Sequence, residues 1–313
     1  MTSETPKRKY CYQSLIMDST RWEGFPHRAG DVLVCTSYKA GTTWMQMICA
    51  LVLFQRTDFG APLSEISPWL DRRGADKQSI HDRYAAQTHR RFIKTHTPLD
   101  ALPWRDDASY FFVGRAPRDV FWSTLNHTAN GTPEFRQKLL EDADASMASK
   151  GELPSDPDER FALWLDTPTV EWEQDGFPYW SHLRHALTFW RYRHLSNIHF
   201  FHYDDLQRNL DEQMRRVARI LEVEVDEAIW PELVDAATFE SMKARADELA
   251  PDASEGAWKS NASFFNRGSS GQWRGRLSAE NLKRYDEVIA ERLPPELAEF
   301  LEAGTSARDP KAG

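Results

Sequence analysis

Three short runs of this chain hold residue types that handle an anion and a proton. The first is Val32-Leu33-Val34-Cys35-Thr36-Ser37-Tyr38-Lys39-Ala40-Gly41-Thr42-Thr43-Trp44. An apolar strand enters a tight loop with one lysine, one glycine and two threonines, then opens into a predicted helix from Trp44 to Phe54. Such a turn aims free backbone N–H groups and the positive end of a helix at one point. Gly41 lets a ligand approach the backbone, Thr42 and Thr43 add hydroxyl donors, and Lys39 adds a full charge. The combination suits a phosphate or sulfate group. The second run, Arg91-Phe92-Ile93-Lys94-Thr95-His96-Thr97-Pro98, is a short strand ending on a lysine and a histidine. A neutral imidazole near pH 7 can take the proton of an attacking hydroxyl. The third, from Ser109 to Ser123, is an apolar strand ending at Arg115. Pro117 is placed to start a helix there, where its missing N–H costs nothing, and Ser123 falls about two turns along it.

The lysine is misplaced for a Walker A loop, G-x-x-x-x-G-K-[ST], because Lys39 precedes Gly41 and no glycine lies upstream within the loop. The order Lys-x-Gly-Thr-Thr-Trp instead resembles the 5′-phosphosulfate loop of soluble sulfotransferases that use PAPS (3′-phosphoadenosine 5′-phosphosulfate). That loop usually reads Pro-Lys-Ser-Gly-Thr-Thr-Trp; here Tyr38 replaces the proline and Ala40 the serine. Arg115-Ala116-Pro117-Arg118-Asp119-Val120-Phe121-Trp122-Ser123 resembles the family's 3′-phosphate motif. Near the C-terminus, Phe265-Asn266-Arg267-Gly268-Ser269-Ser270-Gly271-Gln272-Trp273-Arg274 matches Arg-Lys-Gly-x-x-Gly-Asp-Trp-Lys on its glycines and tryptophan. Asn266 there replaces the arginine and Gln272 the aspartate.

The resemblance covers about residues 20–285 and implies a nucleotide site and a reaction. Lys39, Gly41, Thr42 and Thr43 would hold the 5′-phosphosulfate, and Arg115 and Ser123 the 3′-phosphate, where a planar guanidinium suits bidentate phosphate binding. Arg267, with backbone N–H groups near Gly268, would take over from the missing arginine. Trp44 would stack on adenine, with Tyr203, Thr238 and Phe239 beside it. His96 is implied as general base, with Lys94 and Lys39 stabilising charge on the transferred and leaving groups. The product nucleotide is PAP, no metal is implied, and the acceptor carries a hydroxyl or an amine.

These groups need a scaffold that gathers them. Apolar strands near 31–36, 91–95, 109–114 and 198–203 alternate with helical stripes such as Leu183, Ala186, Leu187, Trp190 and Met214, Val217, Leu221. The alternation predicts an α/β fold, a central parallel β-sheet flanked by helices. The resemblance adds a P-loop-like nucleotide-binding core. Ligands of such sheets gather beyond the carboxyl ends of the strands, and Lys39, His96, Arg115 and Tyr203 all fall at or just past one. At 313 residues and 41% hydrophobic, the chain reads as one domain, 1–313, because the motifs span most of it. Residues 1–8 and 304–313 are expected to be disordered.

Residues 128–181, acidic in the middle and rich in proline and aromatics, correspond to an acceptor-side insertion of the family; otherwise they are a helical excursion with core aromatics. Phe25, Trp69, Phe121 and Trp172 are candidates for the acceptor wall. An aromatic wall favours a phenol, a steroid-like alcohol or a lipid.

A net charge of −9 argues against a nucleic-acid or anionic-membrane surface. Cys11, Cys35 and Cys49 form no CxxC, and the polar start lacks a signal-peptide core, so a reduced cytoplasmic protein is expected. No apolar run is long enough to span a bilayer. Two other readings stand beside the transferase: a P-loop nucleotide kinase or NTPase, with Asp204 or Asp205 as a strand-end magnesium ligand, and a nucleotide-binding module without turnover.

Overall fold

The computed structural model describes residues 4–141, 153–251 and 256–311. Four strands, β1 (Val32–Thr36), β2 (Phe92–Thr95), β3 (Ser109–Gly114) and β4 (Ile198–His202), form an all-parallel sheet in the order β2-β1-β3-β4. Val32 lies opposite Phe92 on one side and Ser109 on the other, and Tyr110 lies opposite Ile198. The first strand is therefore internal, and the chain leaves it for β2 before returning to its other side as β3. That reversal opens a crevice at the carboxyl ends.

Successive side chains of a strand point to opposite faces, and here each face has its own core. Leu33 and Cys35 join Ile93, Phe112 and Phe200 beneath the helices Pro117–Asn130, Pro157–Asp166, His182–Trp190 and Pro295–Ala303. Val32 and Val34 join Phe92, Phe111 and Phe201 beneath Thr42–Phe54 and Leu210–Ile220. Burial on both faces explains why the strands read as continuous apolar runs. Met214, Val217 and Leu221 face this second core, while Leu183, Ala186 and Trp190 face the first.

Two element boundaries differ from expectation. The first helix begins at Thr42, since Gly41 takes the left-handed conformation just before it. Tyr203 opens the helix Tyr203–Arg208 rather than closing a strand, and His202 caps that helix by accepting from the Asp204 amide. Pro117 starts its helix as expected. The described parts of both ends are held by contacts. Arg8 pairs with Glu23 at 3.1 Å, and the Thr305 amide and hydroxyl donate to Asp205 at 2.9 and 2.7 Å.

At the amino ends of β1 and β2, Arg91 donates to Asp31 through Nε (2.8 Å) and Nη2 (2.6 Å), and both side chains are 1% exposed. Phe25 lies 5.2 Å from this guanidinium. Asp31→Ala would leave a buried charge unpaired, at an expected cost of about 3–5 kcal/mol. Chemical unfolding of the variant checks this; a loss below about 1 kcal/mol, the worth of a solvated surface pair, would refute it.

Candidate active site

Past β1 the chain turns through Lys39, at φ 60°, and Gly41, at φ 108°. A Cβ on Gly41 would come within 3.2 Å of the Tyr203 ring, so a small residue lets the start of the helix Tyr203–Arg208 close on the loop. The Thr36 and Thr42 hydroxyls share a 2.5 Å hydrogen bond across the turn. The Lys39 ammonium rests 3.3 Å from Nδ1 of His127 and 4.2 Å over the Phe264 ring. Burial pushes its pKa down to about 7, with the positive charges of Arg115 and Lys94 adding to the effect.

Past β3, Arg115 donates from Nη1 to the Lys39 carbonyl at 2.8 Å, and its guanidinium lies 3.9 Å from the Tyr203 ring centre. Its Nε is buried and has no hydrogen-bond partner among the described residues. A buried N–H without an acceptor is costly, and a bound anion would satisfy it. One histidine ties the two loops together. His182 Nε2 donates to the Arg115 carbonyl at 2.9 Å, which leaves Nδ1 to accept from the Ser37 hydroxyl. Burial lowers the His182 pKa to about 4, so the strut is neutral.

His96 follows β2. Its Nδ1 lies 2.9 Å from the Thr36 carbonyl, which can only accept, so Nδ1 carries the proton and Nε2 is the free base. Burial, reinforced by Lys94, holds the pKa well below that of ordinary histidine. Tyr38 stacks on the ring at 4.6 Å and Tyr179 stacks on Tyr38 at 4.4 Å, while Trp69 meets the imidazole edge-on at 5.0 Å. Asp71 fixes the segment beneath it, accepting from Thr95 Oγ1 (2.9 Å), the His96 amide (3.0 Å) and Thr97 Oγ1 (2.6 Å). Lys94 lies 4.5 Å over the Trp69 ring.

Residues 264–274 close the far side through polar ties to three elements. The Gly271 amide donates to Asp119 (2.7 Å), Ser270 to Asp204 (2.6 Å), Lys243 to the Asn266 carbonyl (2.8 Å), and Gln207 to the Gly268 carbonyl. Gly268 has φ +62°, and a Cβ there would lie 2.4 Å from the Phe239 ring.

One cavity of about 280 Å³ runs across the carboxyl ends of the sheet. Lys39, Gly41, Thr42, Thr43 and Trp44 line it from the first loop, and Lys94 and His96 from the second. Arg115, Ser123 and His127 line it from the third, with Tyr203, Phe239, Arg267 and Gly268 closing the circle. The sequence model of the sulfotransferase domain matches residues 29–295 of the chain. The protein belongs to the sulfotransferase family. A glycolipid sulfotransferase of Mycobacterium bovis (strain BCG / Pasteur 1173P2) is 36% identical, with 99% of each chain covered. Human sulfotransferase 1C2 is 23% identical over 87% of this chain and 86% of that one. A mouse sulfotransferase crystallised with PAP superposes with a TM-score of 0.64 at 17% identity, covering 88% of this chain and 89% of that one. Its likeness extends to the parallel sheet and flanking helices.

Four expected site residues of this sulfotransferase lie off the cavity. Phe25 packs against Tyr84 and Arg91 in the core, and Phe121 against Phe161 and Trp164. Trp172 stacks on Tyr10 at 4.9 Å. Thr238 caps the helix Phe239–Ala244, accepting from the Ser241 amide and donating to the Asp235 carbonyl. Trp44 donates its indole N–H to the Ala237 carbonyl at 2.8 Å, which fixes the ring edge-on to Tyr203. Trp69 does line the cavity, joined by Leu15, Ile16, Phe135, Pro178 and Tyr179. Most aromatics of 153–181, namely Phe161, Trp164, Trp172 and Trp180, thus pack in apolar clusters, and residues 142–152 of the expected insertion lie outside the described residues.

Asp71, His127, His182 and Phe264 escaped the sequence reading, since nothing local marks them. Tyr38 carried a usable signal, its departure from the family's proline. The kinase alternative gives way to the family match. Asp205 is committed to Thr305 and Arg208, and Asp204 to Ser270. No helix among the described residues is long and apolar enough to cross a membrane.

Proposed function

We propose that this sulfotransferase moves the sulfuryl group of PAPS to a hydroxyl of an acceptor with an apolar, lipid-like portion. The observation that carries the reading is the neutral His96, protonated on Nδ1 by its bond to Thr36, in one cavity with Lys39, Lys94 and Arg115. The unpartnered Nε of Arg115 suits a bound phosphate, and the loop hydroxyls of Thr42 and Thr43 suit another. His96 Nε2 takes the acceptor proton as the hydroxyl oxygen bonds to sulfur. The bond from sulfur to the bridging oxygen breaks, and its electron pair stays on the 5′-phosphate, opposite the Lys39 ammonium. Positioning and charge stabilisation do most of the work, as in phosphoryl transfer. The full-length relative named for glycolipids, and the apolar wall of Leu15, Ile16, Tyr38, Phe135 and Tyr179, support the acceptor class.

Thermal stabilisation by PAP, adenosine 5′-phosphate and ATP, each with and without magnesium, tests the donor. A ligand that binds only the native state raises its stability. A metal-independent shift, largest with PAP, is expected; a shift seen only with ATP and magnesium would overturn the reading.

Lys39 adds a pH signature. Its ammonium is half lost near pH 7 in the free protein, and bound phosphates favour the charged form, raising the pKa in the complex. Binding therefore takes up a proton above pH 7, and PAP affinity falls as pH rises between about 7.5 and 9, by up to about tenfold per unit. Lys39→Met is expected to flatten that slope. A parent slope that is already flat, in calorimetric titrations, would show that Lys39 stays charged without ligand.

A further inference from the structure

Lys39 is a buried cation without a counter-ion. Among the described residues no carboxylate acts on it, and the charges that do, Arg115 past β3 and Lys94 at the end of β2, both repel it. Its ammonium is held by Nδ1 of His127 at 3.3 Å and by the face of the Phe264 ring at 4.2 Å. An ammonium can only donate, so Nδ1 of His127 is a lone pair and the ring proton sits on Nε2. This imidazole is therefore neutral, in the tautomer opposite to that of His96. Burial, then the charges of Lys39 and Lys94, hold its pKa well below the ordinary value, and His96 is the other titratable group that faces it.

The ring is also braced. His127 lies in the last turn of the helix Pro117–Asn130, about one turn past Ser123. It packs 4.6 Å from the Trp258 ring and 5.6 Å from Phe264. The segment that carries those two rings is tied to the end of the same helix. Asn130 donates to the Ser260 carbonyl at 2.9 Å and accepts from the Ser260 amide at 3.2 Å.

We propose that His127 is the positioning residue of Lys39, keeping the ammonium charged and in place before the nucleotide arrives. A hydrogen bond to the charged form of a group favours that form, and Nδ1 of His127 is the acceptor that offers one. This inference rests on the donor site proposed above. Once bound, the phosphates favour the charge themselves, so the histidine counts most in the free protein. Lys39 loses its proton as pH rises, and the cost of losing His127 grows with pH.

The test is calorimetric titration of PAP at pH 6 and pH 8 into the parent, His127→Phe and His127→Asn. Phenylalanine keeps the packing on Trp258 without the acceptor, whereas the amide oxygen of asparagine can accept from the ammonium. Loss of a hydrogen bond to a charged group lowers the Lys39 pKa by about one unit. His127→Phe is therefore expected to bind PAP within about twofold of the parent at pH 6 and about tenfold more weakly at pH 8. His127→Asn is expected within about twofold of the parent at both. Titration of the PAP phosphates is common to all three proteins and cancels from the comparison. In a Lys39→Met background, His127→Phe is expected to change PAP affinity at pH 8 by less than about twofold. Equal losses at the two pH values, a loss that persists without Lys39, or an asparagine variant no better than phenylalanine would overturn the role of His127. Absence of PAP binding by the parent would instead remove the donor reading on which the inference depends.

Discussion

His96→Asn is expected to hold PAP within about twofold of the parent affinity and to lose turnover by about 10²–10⁴-fold, the usual worth of a positioned general base. Asparagine can offer its amide N–H to the Thr36 carbonyl, so the bond that orients position 96 survives while the base is gone. A variant that keeps more than a tenth of the parent rate would remove His96 from the proton transfer. The pH profile gives a second reading of the same residue. Burial holds the His96 pKa well below the ordinary imidazole value, and the neutral form is the active one. The rate attributable to this base is therefore expected to stay level from pH 8 down through 6.5 and to fall only at lower pH. A half-loss at 6.5 would mean that the imidazole is solvated.

Arg115→Ala is expected to weaken PAP by about 10²-fold, as loss of bidentate charge-assisted bonds implies, and to weaken adenosine 5′-phosphate by less than about fivefold. The two ligands differ only in the 3′-phosphate, so the contrast isolates that contact. Arg115 also ties down the Lys39 carbonyl, and its removal can loosen the neighbouring loop. Arg115→Lys separates the two effects. It restores charge without the fork, and an intermediate PAP affinity with unchanged adenosine 5′-phosphate binding is expected. Equal losses for both ligands in the alanine variant would show that Arg115 only supports the loop.

The scaffold was legible where local chemistry and pattern coincide. Val32–Thr36, the glycine-threonine turn and Pro117 each announce their structure within a few residues, because strand burial, left-handed backbone and a proline at the first helical turn are local demands. The aromatic wall was only partly legible. Phe25, Phe121 and Trp172 are apolar and bulky, which predicts burial but not against which partner; all three are buried or half-buried away from the cavity, while Trp69 and Tyr179 reach it. The resemblance sets Thr238 beside adenine, and in the fold its hydroxyl caps the start of a helix, a role no local pattern announces. Asp71 was out of reach altogether. It lies 25 residues from His96 in sequence and matters only because the fold stacks its carboxylate under the segment after β2.

The His182 strut has a consequence for how change in this chain should be weighed. The residue lies 145 positions from Ser37 and 67 from Arg115, and belongs to none of the three runs that mark the family. A survey that scored variants by distance from those runs would pass His182→Leu as a silent swap in a helix. The swap would strip the Ser37 hydroxyl and the Arg115 carbonyl of a shared partner, leaving the bond from Arg115 to the Lys39 carbonyl as a remaining side-chain tie between these two loops. The mutational footprint of the active site thus reaches into a helix that never touches the reactants, and tolerance at that helix is set by the loops it braces.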